Sequence, residues 1–294
     1  MIKKWSSRLT FFAFVVLMVG LGSNDSLRGI FSTIFQEHFS LTTTQLGLIV
    51  TASYIGNLVF LLVGGNLSTR FSKKRVLQVL ILIWMAALAL FAFTSNYTVL
   101  LIGMALALGS STLLNTTMNL ITPLLFATAP GFFVNFLFFT QEIGTSGSQY
   151  ILGSHADGFA FWQHTNLVLL ILGAVAFVLL LFCNVPEEAA APADAPAQKG
   201  GYDWRIIVPY VLVFGFYFIA EHGVMNWMVA YGVDGLGLPQ ASAAKYLSVF
   251  FGGMMIGRLC LSPLVDKLGA LKSLAAFGGV SCVLYLIGSL GGAV

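Results

Sequence analysis

Apolar residues fill long blocks of this chain, and only short polar intervals separate them. At ~20 residues per bilayer crossing, the blocks predict nine spans, at about 9–34, 44–66, 76–94, 98–126, 131–153, 164–185, 205–232, 242–264 and 273–292. The sharpest polar interval joins the second and third: Gly65-Asn66-Leu67-Ser68-Thr69-Arg70-Phe71-Ser72-Lys73-Lys74-Arg75, a basic hairpin. Lys and Arg resist translocation, so such a loop is expected to stay in the cytoplasm.

Composition agrees with a membrane as solvent. Hydrophobic residues make up 58% of the chain, charged residues 9%, and the mean hydropathy is +0.91. A soluble domain carries about 25% charged residues, so spans rather than soluble cores are the unit to count. The net charge of +3 is informative through its placement. Lys3, Lys4 and Arg8 precede the first span and the basic hairpin follows the second, whereas the loops after spans 1, 3 and 5 carry Glu37 and Asp157 but no Lys or Arg. The N-terminus is therefore expected inside, in a multi-pass protein of the plasma (inner) membrane. Hydrophobicity resumes beyond Asp25, which argues against a cleaved signal peptide.

The cationic residues read as orientation signals, not as a nucleic-acid footprint. Cys183, Cys260 and Cys282 stand singly in apolar runs, without metal-ligand or disulfide spacing. No phosphate loop or nucleophile motif stands out, so no metal, cofactor or enzymatic activity is expected. The expected partners are a small-molecule solute, protons and the lipid bilayer, with the protein a monomer.

Between spans 6 and 7, Val185-Pro186-Glu187-Glu188 through Gln198-Lys199-Gly200-Gly201 is rich in Ala, Pro and acidic residues. Such a composition buries too little apolar area to offset ordering entropy. It predicts a cytoplasmic linker, 186–203, between an N-terminal six-helix bundle, 1–185, and a partial C-terminal bundle, 204–294. A shift of 197 positions lays Leu238–Leu268 on Leu41–Phe71 without a gap, with Gly253 on Gly56, Lys267 on Arg70 and Gly269 on Ser72. The two segments thus read as parallel copies.

The basic hairpin resembles the loop between helices 2 and 3 of the major facilitator superfamily, Gly-x-Leu-Ala-Asp-Arg-x-Gly-Arg-Arg/Lys. Gly65, Leu67, Arg70, Lys73 and Lys74 match, while Thr69 and Ser72 replace the Asp and the second Gly. The second copy, Pro263-Leu264-Val265-Asp266-Lys267-Leu268-Gly269, keeps both. The resemblance implies an all-α membrane protein of the major facilitator fold and a conformational-loop role for Gly65, Arg70, Lys73, Lys74, Asp266 and Lys267. The family plan has twelve helices, so this sequence is expected to hold the complete first bundle and about three helices of the second, a C-terminally truncated copy.

A charge in mid-bilayer costs ~2.5–3.5 kcal/mol even on lenient scales, which makes each intramembrane charge a functional candidate. In span 1, Asp25 and Arg28 lie at i, i+3 beside Asn24 and can neutralise each other. One reading is a structural ion pair; the other makes Asp25 a proton-binding carboxylate tuned by Arg28. Span 4 sets Ser111, Asn115 and Asn119 on one face, and span 5 does the same with Glu142, Thr145 and Gln149. Amides and hydroxyls on a shared face suit a hydroxylated solute, or else serve as interhelical contacts. Span 7 contributes Glu221, His222, Asn226 and Trp227, and the repeat places Glu221 on Asn24 and His222 on Asp25.

Asn24-Asp25 is similar to the Asn-Asp of the first helix in the fucose permease branch, the fucose-galactose-glucose proton symporters. That likeness implies proton coupling through Asp25. The branch's second carboxylate, in helix 4, is replaced here by Asn115, and Glu142, Glu221 or His222 can take over its proton. Asn24, Asn115, Asn119, Gln149, Asn226 and Trp227 are the expected solute-binding residues. The expected function is proton-coupled, sugar-like uptake by alternating access. Proton-driven efflux of amphipathic compounds, and a non-transporting receptor built on a truncated transporter, are the alternatives.

Overall fold

The computed structural model describes residues 2–127, 130–186 and 204–291; the side chains of 2–6, 65–70, 206, 258–259, 262–263, 265–266, 270 and 289–291 lie outside that description. Most of the linker expected at 186–203 falls outside it as well.

The described chain is helical. In order come α1 (Ile2–Ile30), α2 (Ser32–His38), α3 (Thr43–Arg70), α4 (Lys73–Phe93), α5 (Tyr97–Leu125), α6 (Pro130–Ile151), α7 (Phe159–Phe182), α8 (Trp204–Ala230), a π-helical turn (Tyr231–Gly235), α9 (Gln240–Leu268) and α10 (Ala270–Gly291). Apart from α2, these long helices follow the spans expected from the apolar blocks. Seven stretches of the described residues are long and apolar enough to cross a membrane. α6 and α9 are not among them; in α6, Thr140, Glu142, Thr145, Ser148 and Gln149 interrupt the apolar run, and all five are buried.

Two expectations about helix ends need correction. The first span does not run unbroken to residue 34: it turns at Phe31, where Ser32 Oγ donates to the Gly29 carbonyl at 2.9 Å and competes with the helical ladder. The basic segment is also not an eleven-residue hairpin. α3 continues through Gly65 to Arg70, and only Phe71 and Ser72 separate it from α4. Ser72 caps α4 by accepting from the Arg75 backbone N–H.

Other starts are capped as their residues dictate. Thr42 and Gln45 form a reciprocal capping box, with Thr42 N–H donating to Gln45 Oε1 at 2.9 Å and Gln45 N–H donating to Thr42 Oγ1 at 3.3 Å. Asn96 accepts from the N–H groups of Thr98 and Val99.

The chain forms two compact units, Met1–Gly252 and Gly253–Val294. In the first, α1 packs on α6, α7 and α8, α3 on α5, and α4 on both α5 and α7. Without a hydrophobic drive in lipid, helices associate through close contact at small residues. A Cβ on Gly22 would fall on the Gln141 carbonyl, and one on Gly144 on the Val19 carbonyl, so α1 and α6 touch backbone to backbone. Gly147, by contrast, faces open space. Trp84, Trp162, Phe14, Phe31 and Phe35 are fully buried, and Trp162 meets Phe35 edge-on at 4.8 Å. Leu58, Leu62, Val168 and Phe182 lie on the outside.

The second unit comprises the latter part of α9 and α10. Gly269, between them, has φ +81°, a left-handed conformation that suits glycine. Its counterpart in the repeat, Ser72, has φ −58° and ψ 139°. An ordinary residue fits there.

Candidate functional site

The site is built outward from α1. Asp25 accepts from Asn24 Nδ2 at 3.5 Å and from Ser111 Oγ of α5 at 3.3 and 3.4 Å to its two oxygens. Arg28 Nη1 stands 3.9 Å from Asp25 Oδ1, and its side chain is only 3% exposed. The i, i+3 spacing therefore produces the ion pair that the sequence suggests. Ser111 is brought to it by the α1–α5 packing.

One and two turns along α5 the polar face continues. Asn115 Nδ2 donates to Gln141 Oε1 of α6 at 2.7 Å, and Asn119 Nδ2 donates to Asn115 Oδ1 at 2.7 Å. Hydrogen bonds satisfy buried amides, and each one left unmade is costly. Asn119 Oδ1 has no hydrogen-bond partner among the described residues. Pro123 lies four residues further on in α5 and has no N–H to give the Asn119 carbonyl, so acceptors gather at this point.

α8 supplies the opposite group. Asn226 Nδ2 donates to Tyr54 Oη of α3 at 3.2 Å and to the His222 carbonyl at 2.7 Å. The His222 ring stacks on Phe218 and meets Tyr54 edge-on, with centroids 5.3 and 5.4 Å away. α1 reaches this group by close packing: a Cβ on Gly29 would fall on the Met225 carbonyl of α8, next to Asn226. The α1 and α8 groups thus lie on either side of one helix contact, with Tyr54 bonded to the α8 side.

Other expected residues are placed differently. Thr145 Oγ1 donates to the carbonyls of Gly22 and Gln141, and Gln149 Nε2 donates to the Ser26 carbonyl at 3.5 Å. Both belong to the α1–α6 seam, where Gln149 is fully buried. Glu142 is buried on the same helix. Trp227 packs against the apolar core and, with Gln36, Thr43, Leu46 and Asp234, lines a cavity of about 350 Å³. A second cavity, about 500 Å³, is lined by Gly153–Asp157, Phe161, Gln240 and Ala241. The Asp25 cluster lines neither cavity.

Among the loop residues, Lys74 Nζ donates to the carbonyls of Leu181 and Cys183 at 3.0 and 2.7 Å, satisfying the end of α7. Lys73 is buried and Lys267 exposed. Gly65 and Arg70 fall in the last turns of α3 and Asp266 in the last turn of α9, but their placement beyond the backbone lies outside the described residues. Tyr54 and Gln141 escaped the sequence reading. Each is one polar group in a long apolar helix, and only the neighbouring helix shows what it meets.

The chain matches the Major Facilitator Superfamily model over residues 10–294. It is 24% identical over 297 residues to the cis,cis-muconate transport protein of Acinetobacter baylyi and 23% identical over 311 residues to the L-fucose-proton symporter of Escherichia coli. These alignments cover 94% and 91% of this chain and 70% of each relative. The crystal structure of FucP, a transporter of this superfamily in the outward conformation, superposes with a TM-score of 0.67 at 19% identity, covering 96% of this chain and 77% of that one. Those relatives are transporters, not enzymes, and together with the helical architecture they identify the chain as a multi-pass integral membrane protein belonging to the Major Facilitator Superfamily.

Proposed function

We propose that the protein takes up a small polar solute together with protons, by alternating access between a bundle formed by 1–185 and one begun by 204–294. Asp25 is the proton carrier, and Arg28 holds its charge. Asn24, Asn115 and Asn119 face the solute, together with Asn226. Glu221 and His222 take the part of the carboxylate that Asn115 lacks. The N-terminus is cytoplasmic and the membrane is the inner one. The relatives named for proton symport of fucose and for muconate transport support solute movement of this general kind.

The observation that carries the reading is the company Asp25 keeps. A carboxylate and a guanidinium buried together are costly in a bilayer and are retained where they work. Here they are joined to Ser111 and stand beside α8, whose Met225 carbonyl lies against Gly29 and whose Asn226 holds Tyr54. A merely structural ion pair would not require the α8 groups.

The test is flux. Purified protein in liposomes with an imposed acid-outside gradient should accumulate labelled solute, and an uncoupler should abolish that accumulation. Asp25→Asn and Glu221→Gln should each remove gradient-driven accumulation. Uptake that ignores the gradient in the wild type would overturn the reading.

A further inference from the structure

We infer that the solute carries a carboxylate and that Arg28 receives it; this rests on the transport reading above and names the class of solute. The argument begins with an imbalance inside the ion pair. Asp25 has neutral donors at both oxygens, a long contact from Asn24 at 3.5 Å and the single Ser111 O–H shared between them at 3.3 and 3.4 Å. Arg28 is not well supplied. Its guanidinium offers five N–H donors, yet among the described residues its one ionic contact is the 3.9 Å approach to Asp25, longer than a hydrogen bond. Nε is buried with no partner among the described residues.

A buried guanidinium without hydrogen bonds is an expensive arrangement, and the planar fork matches a carboxylate through two parallel N–H···O bonds. A neutral hydroxyl can accept from one N–H at a time and leaves the charge uncompensated. An organic acid supplies both the charge and the second acceptor. Tyr54 favours the same anion: its oxygen accepts from Asn226, beside the Gly29–Met225 contact of α1 and α8, so its own O–H remains to be donated.

The remainder of the solute is polar. The row Asn115, Asn119 and Gln141 presents amide groups one and two turns from Ser111, and Asn119 Oδ1 is an acceptor still without a donor. Hydroxyl groups provide such donors. The chemistry is that of a small hydroxylated carboxylate, with its acid group at Arg28 and its hydroxyls toward the amides.

The probes are matched pairs that exchange a carboxylate for a hydroxymethyl group: glucuronate against glucose, and galacturonate against galactose. Binding is read from the thermal shift of the purified protein in detergent, and transport from proton flux in liposomes. The acid of a pair should bind roughly 10- to 100-fold more tightly than its neutral partner, the range that charged hydrogen bonds supply. Arg28→Gln should erase that preference and Arg28→Lys should retain part of it. The wild-type comparison stands even where a variant fails to fold. Equal or tighter binding of the neutral member, or undiminished acid binding by a well-folded Arg28→Gln, overturns the carboxylate inference; proton flux driven by glucose or galactose would then leave the transport reading intact. Neither binding nor flux with any of the four overturns both.

Discussion

Ser146 of α6 and Ser248 of α9 exchange hydrogen bonds. Ser146 Oγ donates to the Ser248 carbonyl at 3.0 Å, and Ser248 Oγ donates to the Ser146 carbonyl at 2.8 Å. Gln240, at the start of α9, ties that helix to α1 and α2: its Nε2 donates to the Ile30 carbonyl and its Oε1 accepts from the Thr33 hydroxyl. Because each serine holds the other's backbone, the pair should behave as a unit. Ser146→Ala and Ser248→Ala are expected to cost about 1 kcal/mol singly and markedly less than the sum together, as shared interactions are not additive. Chemical denaturation in detergent measures the cycle. Strict additivity would mean that the serines are energetically independent.

Asp25→Asn removes the titrating group while keeping an acceptor for Ser111 and Asn24. Wild-type accumulation should rise as the outside is acidified, because proton binding precedes inward movement. The Asn variant should show no such dependence, yet still exchange labelled for unlabelled solute when no gradient is imposed. Counterflow and gradient-driven uptake, measured in the same liposomes, check both halves. A variant that still accumulates solute against its gradient would remove Asp25 from the coupling.

Asn115 and Gln141 separate stability from solute binding. Leu at either position alone strands a half-buried amide and should cost ~1–3 kcal/mol, whereas Leu at both removes this donor and acceptor together and should recover the part of that loss that is not due to Asn119, whose Nδ2 still lacks Asn115 Oδ1. Solute affinity should not recover with it. Thermal denaturation and binding of the same three variants test the contrast, and parallel recovery of both would make the pair a purely structural bond.

Gly144→Leu should be among the more damaging substitutions in the α1–α6 seam. Its side chain would have to displace the Val19 backbone, and overpacking of a tight interface costs ~1–3 kcal/mol. Gly147→Leu, three residues away, meets open space and should be nearly neutral. Fluorescence-detected size-exclusion chromatography after heating distinguishes them.

Much of the fold was legible because lipid imposes lengths that apolar blocks must match, and the long helices follow those blocks. The limits were local. Nothing in Gly65 to Arg70 tells whether the helix continues, since a membrane-proximal helix tolerates polar residues once its ladder is formed; the structure extends α3 through them. In the site, Asp25, Arg28, Ser111, Asn115 and Asn119 could be read from the cost of buried charge and the four-residue period. Thr145 and Gln149 share a face, as their spacing indicates, but spacing does not say what lies against it, and here it is the backbone of α1. Tyr54 and Gln141 were invisible for the same reason, since each acquires its meaning from a residue on another helix.

The two-residue connection at Phe71 and Ser72 bears on how the protein is made. With so little chain between them, α3 and α4 emerge from the ribosome almost as one folded arm, and neither can settle across the bilayer far ahead of the other. The translocon would receive them as a pair, pinned on one side by Lys73, Lys74 and Arg75. Lengthening that joint with a flexible glycine-serine insert should leave both helices apolar enough to insert, while releasing the timing that the short joint enforces.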